Sequence, residues 1–146
     1  MTGLNHVLAG VTIAITVRHP LLAPLFALVS HFILDMIPHF GGPAWFERWG
    51  KPLFIMTILD GTVCSLIIIL GIICFPQFWL LILVCAAAAT IPDWLWIFHY
   101  KYGVKHRFFD FHFAIQRYER PWGVYIEVAF MLLVTSVLWN YWVFSR

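Results

Sequence analysis

The chain has 146 residues, of which 62% are hydrophobic and only 11% are charged, and its mean hydropathy is +0.87. Soluble domains carry about a quarter charged residues, so this composition excludes an ordinary soluble domain and indicates a polytopic membrane protein. The eight tryptophans fit that interpretation, because Trp and Tyr favour the membrane–water boundary. The three cysteines stand in apolar runs without C-x-x-C spacing, so we expect small packing residues rather than disulfides.

Five apolar segments follow one another along the chain, and each predicts a helix. They cover residues 3–17, 21–39, 52–75, 77–99 and 121–143. The first is short for a membrane span, because its fifteen residues reach about 22 Å, against about 30 Å of hydrocarbon. We therefore predict an all-α fold, a polytopic membrane helix bundle with four to five membrane segments. We expect residues 1–146 to form a single integral membrane domain.

The linker of residues 100–120 is rich in aromatic and basic residues, and it predicts a further helix. Apolar residues recur there at steps of four and three, at Val104, Phe108, Phe111, Ile115 and Tyr118. This pattern suits an amphipathic helix that lies along an anionic cytoplasmic leaflet. Packing of the same helix against the bundle fits the pattern equally well.

The basic residues predict the orientation of the bundle. If all five segments cross, seven of the nine lie on the side that holds the N-terminus and the linkers 41–51 and 100–120: Arg48, Lys51, Lys101, Lys105, Arg107, Arg117 and Arg120. Arg18 and Arg146 lie on the other side. Because cytoplasmic loops are enriched in Lys and Arg, we expect the linkers to be cytoplasmic.

Ionisable residues inside the apolar segments are costly, so each is a functional candidate. Six such residues occur: His6, His31, Asp35, Asp60, Asp93 and Glu127. The segments alternate in direction, yet all six fall in the half that we assign to the cytoplasm. We therefore expect them to converge on one site at that end of the bundle.

The segment "SHFILDMIPHF" carries the densest group of these residues. His31 and Asp35 are four residues apart, so one helix face presents both, with about 5–6 Å between their Cβ atoms. His39 continues the stripe only if the helix passes Pro38. We expect Pro38 to kink or end the helix, which places His39 at the mouth of the site.

Histidine and carboxylate side chains at this spacing are typical ligands of Zn²⁺, Mn²⁺ or Fe²⁺. A divalent metal also keeps buried carboxylates ionised, and three or four carboxylates could neutralise one or two such ions. We predict metal ligation by five residues: His6, His31, Asp35, His39 and Asp93. For Asp60 and Glu127 we predict a catalytic role, and hydrogen bonding between helices is the alternative for every member of the set. His99, His106 and His112 are expected at the membrane interface rather than as ligands.

Four short motifs, "LNHVLAG", "SHFILDMIPHFG", "IPDWLW" and "HRFFDFH", resemble pieces of small multi-spanning proteins known as membrane-bound metal-dependent hydrolases. The resemblance covers about a third of the chain. It implies a metal-dependent hydrolase, with His6, His31, Asp35 and Asp93 in the site and weaker support for His106 and His112. Trp94 and Leu95 follow Asp93 where that family commonly shows P-D-x-D-H.

Together these features predict a metal-dependent hydrolase of a bacterial or archaeal cytoplasmic membrane, with its site near the cytoplasmic face. The expected cofactor is a divalent ion, with Zn²⁺ or Mn²⁺ favoured. The expected partners are membrane lipids and a lipid or isoprenoid phosphate as substrate, and no feature indicates nucleic-acid binding. A proton or metal-ion transporter and a non-catalytic membrane scaffold are the alternatives.

Overall fold

A computed structural model describes residues 1–40 and 51–144, and this part of the chain is all-α. The linker predicted at residues 41–51 lies, apart from Lys51, outside the described residues. Six α-helices occur in the described ranges: α1 (Gly3–Val17), α2 (Leu22–Asp35), α3 (Lys51–Cys74), α4 (Trp79–Tyr102), α5 (Arg107–Ile115) and α6 (Gly123–Phe144). Short 3₁₀ turns at Pro76–Phe78 and Gln116–Tyr118 precede α4 and follow α5.

Three of these helices are long and apolar enough to cross a membrane. The candidate spans are Ile55–Cys74, Pro76–Leu95 and Gly123–Phe144, whereas α1 and α2 are shorter apolar helices. Side chains along Ile55–Cys74 are exposed or only half-buried. A long helix that presents so much apolar surface is stable in lipid, so the expectation of an all-α protein with membrane-length helices is confirmed.

The short first helix lies at the centre of the fold. Nine of the fifteen residues of α1 are buried, and α1 packs against α2, α3, α4 and α6. Small residues allow the closest of these approaches: a Cβ at Gly10 would lie 2.7 Å from the carbonyl oxygen of Cys85 on α4. Helices associate in membranes through such small-residue contacts. Because α1 is largely covered by other helices, its limited length leaves little of it facing lipid.

Helix α2 ends before the second apolar segment does, in agreement with the stop that Pro38 predicts. Helix α2 stops at Asp35, and Met36 caps its last turn through backbone hydrogen bonds. The residue before a proline disfavours helix, so a stop shortly ahead of Pro38 is expected. His39 consequently lies beyond the helix, on the chain that leaves it.

The linker of residues 100–120 forms a shorter helix than the apolar stripe predicts. Only Arg107–Ile115 is α-helical, so Val104 and Tyr118 lie outside the helix. Phe109 and His112 are the buried residues of α5, whereas Phe111 is exposed. Helix α5 therefore packs one face on the bundle and leaves apolar side chains on another.

Candidate metal centre

Four side chains from three helices meet in a buried cluster at one end of the bundle. His31 and Asp35 of α2, Asp93 of α4 and His112 of α5 each offer one ligand atom, and these four atoms lie within 4.8 Å of one another. The side chains of His31, Asp35 and His112 are fully buried, whereas that of Asp93 is 35% exposed. The accessible side of the cluster is therefore at Asp93.

The separations between these atoms suit a single metal ion. The Nε2 atoms of His31 and His112 are 3.0 Å apart, and Asp35 Oδ2 lies 3.3 Å and 3.1 Å from them. Asp93 Oδ1 lies 3.8 Å from each of the two Nε2 atoms. Ligands about 2.1 Å from a tetrahedral zinc ion lie about 3.4 Å from one another, so small side-chain shifts would bring all four into coordination range.

The backbone of α2 and α4 sets the orientation of His31. Ala23, Ala27, His31 and Asp35 follow at steps of four and are all fully buried, so small residues bring this face of α2 close to α4. His31 Nδ1 lies 2.8 Å from the carbonyl oxygen of Ala89. A carbonyl only accepts, so Nδ1 carries the proton and the lone pair of Nε2 faces the cluster. Metal-ligating histidines commonly have such a partner.

Helix α5 brings His112, and not His106, into the cluster. His106 is exposed at the N-cap of α5, where its Nδ1 accepts a hydrogen bond of 3.1 Å from the backbone N–H of Phe108. His112 lies on the face that Phe109 anchors in the bundle. This position corrects the expectation of an interfacial His112. Of the two histidines in "HRFFDFH", His106 therefore caps the start of α5 and His112 belongs to the cluster.

His6 lies beside the four clustered residues, on the first turns of α1. Its Nε2 is 3.2 Å from Asp35 Oδ1 and 3.9 Å from Asp93 Oδ2, and its ring stacks on that of His31 with centroids 4.2 Å apart. The amino group of Met1 also contacts Asp35 Oδ1. His6 Nδ1 and Asn5 Oδ1 are buried without a hydrogen-bond partner within the described ranges. His6 therefore adds a fifth ionisable side chain beside the four-residue cluster.

Asp60 approaches the same end of α1 but binds its backbone. Its Oδ2 accepts a hydrogen bond of 3.0 Å from the N–H of Gly3, and its Oδ1 accepts one of 3.1 Å from the N–H of Leu4. A Cβ at position 3 would overlap this carboxylate, so glycine permits the approach. A carboxylate at a helix N-terminus satisfies amides that have no partner within the helix and is favoured by the helix dipole.

Glu127 of α6 joins three parts of the chain. Its Oε1 accepts from the backbone N–H groups of Thr2 and Phe40, at 3.2 Å and 3.1 Å. Its Oε2 accepts from the Thr2 hydroxyl at 2.6 Å and lies 3.4 Å from Asn5 Nδ2. These contacts make Glu127 and Asp60 structural partners of α1, and the catalytic role that we predicted for them stays a prediction.

His39 lies outside the cluster, where the chain after α2 meets the start of α6. It is buried, its Nδ1 lies 2.8 Å from the carbonyl oxygen of Ile37, and its Nε2 lies 3.9 Å from Glu119 Oε1. Its own carbonyl accepts from the N–H of Arg120 at 2.8 Å. Burial lowers the pKa of His39 below its ordinary value. Its predicted metal role remains a prediction.

Comparison with protein-family models, with curated proteins and with solved structures found no match to this chain. The structure itself shows membrane-length apolar helices and a buried histidine–aspartate cluster. Of the predicted ligands, the structure brings His6, His31, Asp35 and Asp93 together.

Proposed function

We propose that this protein is an integral membrane protein that binds a divalent metal ion through His31, Asp35, Asp93 and His112. The observation that carries the proposal is the convergence of four ligand atoms from three helices within 4.8 Å. A cluster that combines two buried imidazoles with a buried carboxylate is costly in lipid unless a cation or a set of hydrogen bonds compensates it. Mixed nitrogen and oxygen donors favour Zn²⁺ or Mn²⁺.

We further propose that the bound metal serves hydrolysis. A divalent ion in such a site activates water and polarises a phosphoryl or carbonyl oxygen. Asp93 is the partly exposed member of the cluster, so substrate would approach from its side. Exposed Lys105 and Arg107 precede His112 in the chain and could orient a phosphate group. A lipid or isoprenoid phosphate is the substrate class that fits a site at the end of a membrane bundle.

The proposed arrangement has four to five of the apolar helices as membrane segments, with the cluster near the cytoplasmic headgroups. The basic residues of the linkers support this orientation. The fold supports hydrolysis over transport, because the core that continues from the cluster is apolar. It consists of residues such as Val11, Ala14 and Ile15 of α1 and Ile82 and Cys85 of α4. A path for protons or metal ions would need polar groups through that region.

Metal analysis of detergent-purified protein, prepared without chelator, tests the proposal. We expect a stoichiometric divalent metal in the wild type and its loss in His31→Ala and Asp35→Ala. His19→Ala is the matched control, because His19 lies at the other end of α1 and α2 and accepts backbone hydrogen bonds from Leu21 and Leu22. Folded wild-type protein without metal would refute the proposal.

The hydrolytic step needs its own measurement. Release of inorganic phosphate from vesicles that contain phosphatidic acid or an isoprenoid phosphate should depend on the metal and fall in Asp93→Asn. Metal binding without such hydrolysis, combined with metal uptake into proteoliposomes, would favour transport instead.

A further inference from the structure

The two aspartates of the cluster direct their oxygens toward two different sides. Asp35 Oδ2 faces the Nε2 atoms of His31 and His112, at 3.3 Å and 3.1 Å. Asp35 Oδ1 faces His6 Nε2 at 3.2 Å. One oxygen of this fully buried carboxylate therefore belongs to the four-residue centre, and the other points to His6.

Asp93 repeats the same division. Its Oδ1 lies 3.8 Å from the Nε2 atoms of His31 and His112, and its Oδ2 lies 3.9 Å from His6 Nε2. Two carboxylates thus stand between a pair of histidines on one side and a single histidine on the other. This is the donor arrangement in which carboxylates bridge two metal ions.

We propose that a second divalent cation binds between His6 Nε2, Asp35 Oδ1 and Asp93 Oδ2, with both carboxylates bridging it to the first. The second position rests on the proposed metal centre, since it shares both aspartates with it. It differs from that centre by its own ligand, His6, which comes from α1.

The Met1 amino group contacts Asp35 Oδ1 in this structure, and a metal ion at this position would replace that contact. One further observation supports a cation here. The rings of His6 and His31 stack with centroids 4.2 Å apart and an interplanar angle of 28°. The separation of the two rings is close to the spacing of about 3.5–4 Å between the ions of two-metal hydrolytic sites.

The charge of the proposed two-metal site favours one class of substrate. Two divalent cations carry more positive charge than Asp35 and Asp93 can neutralise, so the pair would retain a net positive charge on the accessible side. An anionic phosphoester complements that charge, whereas a neutral ester or amide does not. Two-metal centres typically clamp the attacking and leaving oxygens of a phosphoryl displacement. A phosphate monoester or diester on a lipid therefore suits the paired site better than a carboxylic ester.

Metal titration of the chelator-treated, detergent-solubilised protein tests the second position. With Mn²⁺ as the probe, we expect about two bound equivalents in the wild type and about one in His6→Ala and His6→Gln. The His19→Ala control should keep both. His6→Gln retains a polar side chain in the buried position, so it preserves the test if the alanine variant fails to fold. Size exclusion and circular dichroism monitor folding.

Electron paramagnetic resonance of the Mn²⁺-loaded protein gives an independent readout. We expect an exchange-coupled spectrum from the wild type and the spectrum of an isolated ion from His6→Gln. One equivalent in both proteins would overturn the second position and leave the proposed function standing. Loss of both equivalents from folded His6→Gln would also overturn it. No bound metal in the folded wild type would refute the proposed function itself.

Discussion

The two carboxylates at the N-terminus of α1 should respond differently to the same chemical change. Asp60→Asn and Glu127→Gln each replace one carboxylate oxygen by an NH₂ group and remove one negative charge. Both oxygens of Asp60 accept from backbone N–H groups, those of Gly3 and Leu4, which can only donate. An asparagine at position 60 must therefore place its NH₂ group against one of these donors.

One carboxylate oxygen of Glu127 has partners that can either donate or accept a hydrogen bond. Its Oε1 binds two backbone N–H groups, but its Oε2 binds the Thr2 hydroxyl and lies near the Asn5 amide. A glutamine can keep its oxygen on the backbone donors and direct its NH₂ group at the hydroxyl oxygen, which accepts as well as donates.

The expected magnitudes follow from these partners. A buried donor left without an acceptor costs about 1–3 kcal/mol, so Asp60→Asn should destabilise the fold by about that amount. Glu127→Gln should cost about 1 kcal/mol or less, mainly through the lost interaction of its charge with the helix dipole. Glu127→Ala removes every acceptor at once and should cost about 2–5 kcal/mol.

Denaturant unfolding in detergent micelles, followed by tryptophan fluorescence and circular dichroism, measures these free energies. A double-mutant cycle sharpens the test: in a Thr2→Val background the reversible hydroxyl is absent, so Glu127→Gln should become more costly. If Glu127→Gln is as destabilising as Asp60→Asn, or if the Thr2→Val background leaves its cost unchanged, the assignment of partners to the two carboxylates is wrong.

Three further predictions follow from the packing, the histidines and the cluster. Gly10→Ala should destabilise the fold by about 1–3 kcal/mol, because its Cβ would meet the Cys85 carbonyl, whereas Gly61→Ala, whose Cβ meets no atom within 4 Å, should be neutral or stabilising in the same unfolding assay. Burial lowers the pKa of His39, so the neutral imidazole stabilises the fold fully above the unfolded-state pKa of about 6.5, and this stabilisation is lost as the pH falls below that value. His39→Gln should therefore flatten the curve of unfolding free energy against pH below pH 6.5. An unchanged curve would contradict this prediction. His112→Ala should abolish metal binding at the four-residue centre, whereas His106→Ala should retain the metal and lose about 1 kcal/mol of stability with the end cap.

The helices were predictable because their ends carry strong local signals. Apolar runs interrupted by prolines and charged residues gave five segments whose ends agree with the helices to within a few residues, except where α2 stops ahead of Pro38. The gathering of His6, His31, Asp35 and Asp93 was also predictable, because alternating helices place the corresponding depth of every segment at one end of the bundle.

The choice between the histidines of α5 was not predictable from the pattern. The apolar stripe selects the face of α5 that carries Phe111, but Phe111 is exposed and the buried face carries Phe109 and His112. Packing of Phe109 in the bundle selects the face that carries His112. The motif "HRFFDFH" contained the signal, but a metal role for His112 needs the position of α5 relative to α2, which only the tertiary structure gives.

The roles of Asp60 and Glu127 follow from the start of α1, whose own sequence supplies no acceptor for its first N–H groups. Helix α1 has no acidic residue in its first turn, and the Thr2 side chain makes no cap hydrogen bond to it. Its first residues are half-buried among the ends of the neighbouring helices, and amides left unpaired there are costly. A helix that begins in such surroundings requires acceptors from its neighbours, and the carboxylates at the same depth of α3 and α6 supply them.

The hydrogen bonds to α1 also reduce the number of carboxylates that can bind a metal ion. Of the four carboxylates that converge near the start of α1, Asp60 and Glu127 are engaged by backbone amides and side-chain donors. Asp35 and Asp93 alone face the imidazoles. A pool of three or four carboxylates would hold two divalent ions close to neutrality, but two carboxylates do so for only one. A second ion therefore leaves the site with a positive charge that an anionic substrate must compensate, and metal occupancy at the His6 position should rise when inorganic phosphate is added.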